Sequence, residues 1–226
     1  MKYIQENLAK IRERIAAAAE KAGRAPQSVK LIAVSKTFPS EAVQSAYDAG
    51  QRLFGENKVQ DLALKNATLA KDIEWHMIGH LQSNKAKLVV ENADYIHAVD
   101  SVKLLQRIDR LAGELGRSPK VLLEINVSGE KSKFGADTEL VKQLAQAAIL
   151  CKNIAVVGLM TMAPFGVPES ELRFVFSSLR RLRENLEAEF DLDLPELSMG
   201  MSGDFEIAIE EGATMVRVGT AIFGKR

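Results

Sequence analysis

The chain has 226 residues, 46% apolar and 27% charged, and a single cysteine, Cys151. That length suffices for one large α/β domain with its own core, and a lone cysteine leaves no internal disulfide, which fits a reducing compartment. Its 30 basic residues balance 30 acidic ones, a formal net charge of +0, so neither nucleic acid nor an anionic membrane finds a bulk electrostatic grip.

The opening stretch MKYIQENLAKIRERIAAAAEKAGR is charged throughout and lacks the apolar core of a secretory signal. Ile4, Leu8, Ile11 and Ile15 recur in it at helical spacing and predict an amphipathic helix. No later stretch approaches a membrane span, and the expected location is the cytoplasm. Short apolar runs then predict strands at 30–36, 52–56, 74–79, 94–99, 120–128, 154–161, 196–200 and 214–219. Helical patterns fall between them at 40–50, 57–70, 84–92, 101–115, 137–151, 169–189 and 204–211, with Ser40, Asn57, Ser83, Asp100 and Asp137 at expected N-caps. Strand–helix alternation implies parallel pairing through helical crossovers. Eight such units without a Pro/Gly/Ser linker predict one domain over residues 1–226, a closed (β/α)8 TIM barrel with an extra N-terminal helix. An open doubly wound sheet is the alternative.

The working face of such a barrel lies at the C-terminal ends of its strands, and the unusual residues collect there. Strand one ends in Lys36, strand two in FGENKVQ, strand three in IGHLQSNK and strand five in EINVSGEKSKFG. Strands six to eight end in GLMTMAP, SMGMSGD and VRVGTAIFG. Side chains alternate between the two faces of a strand. Ile32, Val34 and Lys36 therefore share a face, which turns Lys36 into the barrel mouth if that face is the lumen. Val121, Leu123, Ile125 and Val127 suit the helical layer and leave Glu124 and Asn126 for the lumen. Val216 and Val218 do the same for Arg217 and Gly219. An inward lysine and an inward arginine at one mouth repel each other unless an anion joins them.

Each residue also has a plainer reading. A lysine at a strand end commonly snorkels to solvent, Arg217 can pair with Glu124, and SMGMSGD can be a turn with Asp204 capping a helix. His76 and His80, four apart, make poor partners for a shared metal and read as satisfied polar residues; no metal site is expected. RRLRENLEAEF reads as a solvated helix face, and SGEKSKFG lacks the spacing of a phosphate loop. Convergence on one barrel face favours the functional reading. A lysine in a partly apolar pocket beside another cation loses its proton more readily, and a free amine forms Schiff bases with carbonyls. SMGMSGD and VRVGTAIFG supply hydroxyls, glycine-permitted N–H groups and helix starts for an anion, and closure of the barrel makes strand eight a neighbour of strand one.

The segments LIAVSKTFP, FGENKVQ, WHMIGHLQSNK, GLMTM, LSMGMSGDFEIAI and GATMVRVGTAIFG resemble the pyridoxal phosphate homeostasis protein family, end to end and in order. The resemblance implies a single barrel like the N-terminal domain of alanine racemase, in the fold-type III group of pyridoxal 5'-phosphate (PLP) proteins. It implies that Lys36 carries the cofactor as an internal aldimine, that Asn57 and His80 line the cofactor face, and that Ser202, Gly219 and Thr220 bind the phosphate. Arg217 then faces the pyridine nitrogen, with Ser198 and Met199 beside it. It further implies a protein that buffers and delivers PLP to apo-enzymes, without turnover. An arginine at the ring nitrogen keeps that nitrogen unprotonated and the ring a weaker electron sink. The expected chain has no second domain to bring the second acid/base group of a racemase, and its tyrosines, Tyr3, Tyr47 and Tyr95, fall outside the matched motifs. A slow amino-acid racemase is the runner-up, and a Schiff-base aldolase without PLP a third reading.

Overall fold

The computed structural model describes residues 1–127, 135, 136 and 138–224, with Thr138 and Glu139 as backbone alone. The strands are β1 (Lys30–Val34), β2 (Leu53–Glu56), β3 (Glu74–Met77), β4 (Tyr95–Val99), β5 (Lys120–Glu124), β6 (Ala155–Met160), β7 (Glu196–Ser198) and β8 (Met215–Val218). They pair in parallel in chain order, and β8 returns to β1 to close the barrel. The expected (β/α)8 architecture is therefore the observed one, and the open sheet is not. The helices are α1 (Lys2–Lys21), α2 (Ser40–Asp48), α3 (Val59–Thr68), α4 (Ala86–Asn92), α5 (Val102–Leu115), α6 (Thr138–Ile149), α7 (Glu169–Phe190), α8 (Phe205–Glu210) and α9 (Thr220–Phe223).

Helix α1 is the extra N-terminal element. Its buried stripe, Ile4, Leu8, Ile11, Ile15, Ala18 and Ala19, follows the helical period. The helix packs against α2, α8 and α9, which flank the β8–β1 seam. Arg14 grips Glu206 of α8 through two 2.8 Å hydrogen bonds, and Asn7 donates to the Ile222 carbonyl.

Two differences from the sequence reading concern element ends. The strands stop earlier than their apolar runs: β1 ends at Val34 and β7 at Ser198, so the polar residues beyond are loops. Four of the expected caps, Ser40, Asn57, Ser83 and Asp100, do not cap. Ser40 is the first residue of α2 behind Pro39, Lys58 and Ser101 stand where Asn57 and Asp100 were expected, and Ser83 opens a 3₁₀ turn; none of these starts has a side-chain cap. Asp204 does stand at the start of α8, but its carboxylate accepts from the Met201 N–H at 2.5 Å, closing the turn before the helix. Asp137 and the stretch 128–134 of SGEKSKFG lie outside the described residues.

Alternation divides the interior as expected. Ile32, Tyr95, Ala98, Leu122, Met160 and Met215 form a small lumen cluster. The intervening Val121, Leu123, Val216 and Val218 join the larger layer between strands and helices. One charged pair is sealed in that outer layer. Glu56, at the end of β2, takes a hydrogen bond from Ser35 Oγ and one from Lys65 Nζ of α3, both 2.6 Å, and Lys65 also donates to the Ser35 carbonyl at 3.0 Å. Lys65 is 5% exposed and Glu56 0%. Burial pushes the Glu56 carboxyl above its ordinary range while Lys65 and Ser35 pull it back. The pair ties the ends of β1 and β2 to α3.

Removing one member of such a pair strands the other charge. Lys65→Met should lower the unfolding free energy by about 3–5 kcal/mol, and adding Glu56→Gln should restore part of that loss. Urea unfolding of the two variants checks it; a single variant as stable as the wild type contradicts the clamp.

Candidate functional site

Just past β1 the chain turns sharply. The Phe38 N–H donates to the Ser35 carbonyl at 3.0 Å, with Lys36 and Thr37 at the centre of the turn. Thr37 has φ 68°, a conformation unfavourable for a β-branched residue and sustained only where the surroundings impose it. They do so here: the Ser35 N–H donates to the Gly55 carbonyl at 3.0 Å, and the Ser35 carbonyl and hydroxyl are both held by the Glu56–Lys65 pair. Lys36 is half-buried. Its direction is set by this anchored turn, not by strand alternation, which stops at Val34.

The loops after β7 and β8 meet the same seam. In the first, Gly200 has φ 92°, and a Cβ there would sit 2.6 Å from Ala208 Cβ and 2.9 Å from Phe205 Cα, so glycine alone lets the loop close onto α8. Ser202 Oγ then accepts from the Gly219 N–H at 3.2 Å, tying the two loops together. Gly219 lies against the end of β1: a Cβ on it would be 3.2 Å from the Val34 carbonyl oxygen. Thr220 is exposed and opens α9, whose first N–H groups have no intrahelical acceptor. Ser202, Gly219 and Thr220 thus adjoin the Lys36 turn across the seam, as the register Ala33↔Val218 requires.

The other expected residues divide. Asn57 follows β2 and is half-buried, and its Oδ1 is buried without a hydrogen-bond partner among the described residues. His80 is exposed beyond β3, with Nδ1 3.7 Å from the Asp100 carboxylate. It does not share a strand face with His76, which is buried in β3. Ser198 is fully buried in the lumen. Met199 is fully buried in the outer layer with its N–H donated to the Met215 carbonyl, so its side chain is not brought to the mouth.

Arg217 points inward, as alternation required, and is 4% exposed. Its Nη1 donates to Ser198 Oγ at 2.6 Å and its Nη2 to the Thr161 carbonyl at 2.9 Å. Among the described residues these are its hydrogen bonds, and Glu124 acts on it as a nearby charge, not as the hydrogen-bonded partner of the plainer reading. Burial brings the guanidinium down to about 10, with Glu124 and Asp204 opposing, so it keeps its charge at neutral pH. Glu124 is pushed up to about 7, by burial first and by Asp100 second, with Arg217 opposing.

The sequence reading passed over His97. It lies fully buried in β4 between His76, with Nε2 2.9 Å from His76 Nδ1, and Ser198, with Nδ1 3.0 Å from the hydroxyl. Its position was readable: in YIHAV it stands two residues from Tyr95 and so shares the lumen face. No group of His, Cys, Asp and Glu among the described residues is arranged to hold a metal.

Glu124 yields a test on the protein free of ligand. Its folded pKa lies above the ordinary value of 4.5, so the folded state binds the extra proton and the stabilisation is present at low pH. It is lost as pH rises from there to about 7. Wild type should therefore lose stability relative to Glu124→Gln over that window, by at most about 3 kcal/mol. Parallel unfolding curves for the two proteins across the window contradict the raised carboxyl.

The family model for the alanine racemase N-terminal domain matches residues 7–226. A pyridoxal phosphate homeostasis protein of Aquifex aeolicus is 43% identical over 222 residues, spanning 98% of this chain and 97% of that one. One of Vibrio alginolyticus is 45% identical over 233 residues, spanning 100% and 99%. Among solved structures, PipY of Synechococcus elongatus with PLP bound superposes with a TM-score of 0.86 at 43% identity, covering 98% of this chain and 100% of that one. A D-threonine aldolase of Filomicrobium marinum, 13% identical with a TM-score of 0.79, shares the fold alone. The chain belongs to the pyridoxal phosphate homeostasis proteins, within the alanine racemase N-terminal domain family.

Proposed function

We propose that this chain binds PLP at the β8–β1 seam and acts in PLP homeostasis, holding the cofactor and giving it up to apo PLP-dependent enzymes in the cytoplasm without turning over a substrate. The observation that carries the reading is the Lys36 turn, held in a strained conformation beside the joined Ser202 and Gly219 loops. When bound, PLP supplies an aldehyde that the neutral Lys36 amine can take as a Schiff base, with loss of water. The chain's own residues fit such a guest. Ser202, Gly219 and Thr220 offer hydroxyl and N–H groups to a phosphate. Asn57 carries a buried amide oxygen that lacks a partner among the described residues. Arg217 carries further N–H groups beyond the two given to Ser198 and Thr161. A guanidinium at the ring nitrogen donates and cannot accept, which leaves that nitrogen unprotonated and suits storage better than carbanion chemistry.

The names of the relatives and the PLP in PipY support this reading. A racemase needs a second acid/base group across the ring. The three tyrosines are engaged elsewhere: Tyr3 with the Phe223 carbonyl, Tyr47 with Asp72, and Tyr95 with Lys120 where β4 and β5 begin.

Lys36→Ala should abolish both the yellow colour of the loaded protein and borohydride labelling of the chain, while phosphate contacts retain some PLP without a covalent link. Absorbance and intact mass after borohydride read the two effects. Labelling at an unchanged yield means that another lysine holds the cofactor.

A further inference from the structure

A line of hydrogen bonds crosses the barrel lumen. Arg217 of β8 donates to Ser198 Oγ of β7 at 2.6 Å. Ser198 Oγ lies 3.0 Å from His97 Nδ1 of β4, and His97 Nε2 lies 2.9 Å from His76 Nδ1 of β3. His76 Nε2 lies 3.1 Å from Oε1 of Glu74, the first residue of β3, at the opposite end of the barrel from the Lys36 turn. Ser198, His97 and His76 are all fully buried, and the His76 ring stacks on Tyr95 at 4.5 Å.

The two ends fix the direction of every link. A guanidinium only donates, so Ser198 Oγ accepts from Arg217 and has its own proton left to give. That proton goes to His97 Nδ1, which must then be bare. A neutral His97 carries its proton on Nε2 and gives it to His76 Nδ1, also bare. His76 then carries its proton on Nε2 and donates to the Glu74 carboxylate. The opposite polarity fails at both ends: it leaves the Ser198 hydroxyl proton without an acceptor and turns an imidazole lone pair toward a carboxylate. Burial depresses both imidazoles, and His97 feels His76 and Arg217 besides, so both rings are neutral. Glu74 is held ionised, chiefly by its hydrogen bond to His76.

We propose that Glu74, His76, His97 and Ser198 are positioning residues: a one-way donor chain, anchored on a carboxylate at the base of the barrel, that sets the place and direction of the Arg217 guanidinium at the PLP site. The chain needs no mobile proton. Arg217 has one hydrogen bond to a backbone carbonyl, that of Thr161, and one to a hydroxyl whose lone pair is aimed by everything below it. Loosening the base should therefore be felt at the mouth, although Glu74 touches nothing there. The functional half of this proposal rests on the reading of the site as a PLP site; the tautomers do not.

The test has two arms. Long-range proton–nitrogen correlation spectra of histidine-labelled protein without PLP should show His76 and His97 neutral and protonated on Nε2 over about pH 6 to 8. A proton on Nδ1 of either ring, or on both nitrogens, overturns the chain. In the second arm Glu74→Ala, a partly exposed position, should weaken PLP binding about threefold to thirtyfold and shift the absorbance of the bound cofactor. His97→Gln, whose amide keeps one acceptor and one donor, should stay closer to wild type than His97→Leu. Correct tautomers with unchanged affinity and spectrum in Glu74→Ala overturn the positioning role. If the wild-type protein takes up no PLP, the site reading fails, and the tautomers still decide whether the chain exists.

Discussion

The site depends on the pairing of β8 with β1. Four register pairs, from Lys30↔Met215 to Ala33↔Val218, close the barrel. One step further along, the Gly219 loop rests on Val34. No residue of the Lys36 turn is near Gly219 in sequence; they meet because the sheet closes. The seam is reinforced outside by α1 through Arg14–Glu206 and Asn7–Ile222, and at its base by Lys30, which bonds Glu196, itself bonded to Thr214. An extra helix over the seam is thus part of how the site is held.

The polar groups inside this barrel follow one rule. Charge is admitted where a partner is ready, since a buried ion without one costs several kcal/mol. In the outer layer Lys65 meets Glu56 Oε1, while Glu56 Oε2 is buried without a hydrogen bond among the described residues and the carboxyl is raised. Arg217 satisfies the rule in the lumen by donating to a hydroxyl and a carbonyl, with histidines kept neutral beneath it. Glu124 is the instructive case. Its Oε2 is buried without a hydrogen bond among the described residues, and its carboxyl rises to about 7 in response. Asn57 Oδ1 is left in the same state just past β2, where a guest at the barrel mouth can complete its hydrogen bonding.

Much of this was legible in the sequence. The period of apolar runs gave the barrel, and alternation turned Arg217 and Glu124 inward while sending Val216, Val218, Val121 and Leu123 outward. Other features were not legible, for physical reasons. Strand ends are set by where pairing stops, so Ser35 and Lys36 look like strand in sequence and form a turn. Caps depend on local backbone angles: Asn57 lost that place to Lys58, which no composition signals, and Asp100 lost it to its neighbour Ser101, an equally good cap type. Lys65 sits on a helix among polar residues and reads as solvated; only the fold puts Glu56 against it. His97 could have been found from its place two residues after Tyr95, but its partners come from β3 and β7, which no local pattern brings together.

A protein that stores a cofactor must bind it in a form that can leave. An anchored lysine turn at the barrel mouth fits that demand, and the most direct measurement is transfer itself. PLP-loaded protein is mixed with an excess of an apo PLP-dependent enzyme, and the enzyme's activity is followed together with the absorbance of the donor. The account predicts that activity returns as the donor's yellow band decays. PLP that stays on the donor for hours, with the acceptor silent although free PLP activates it, would contradict the account.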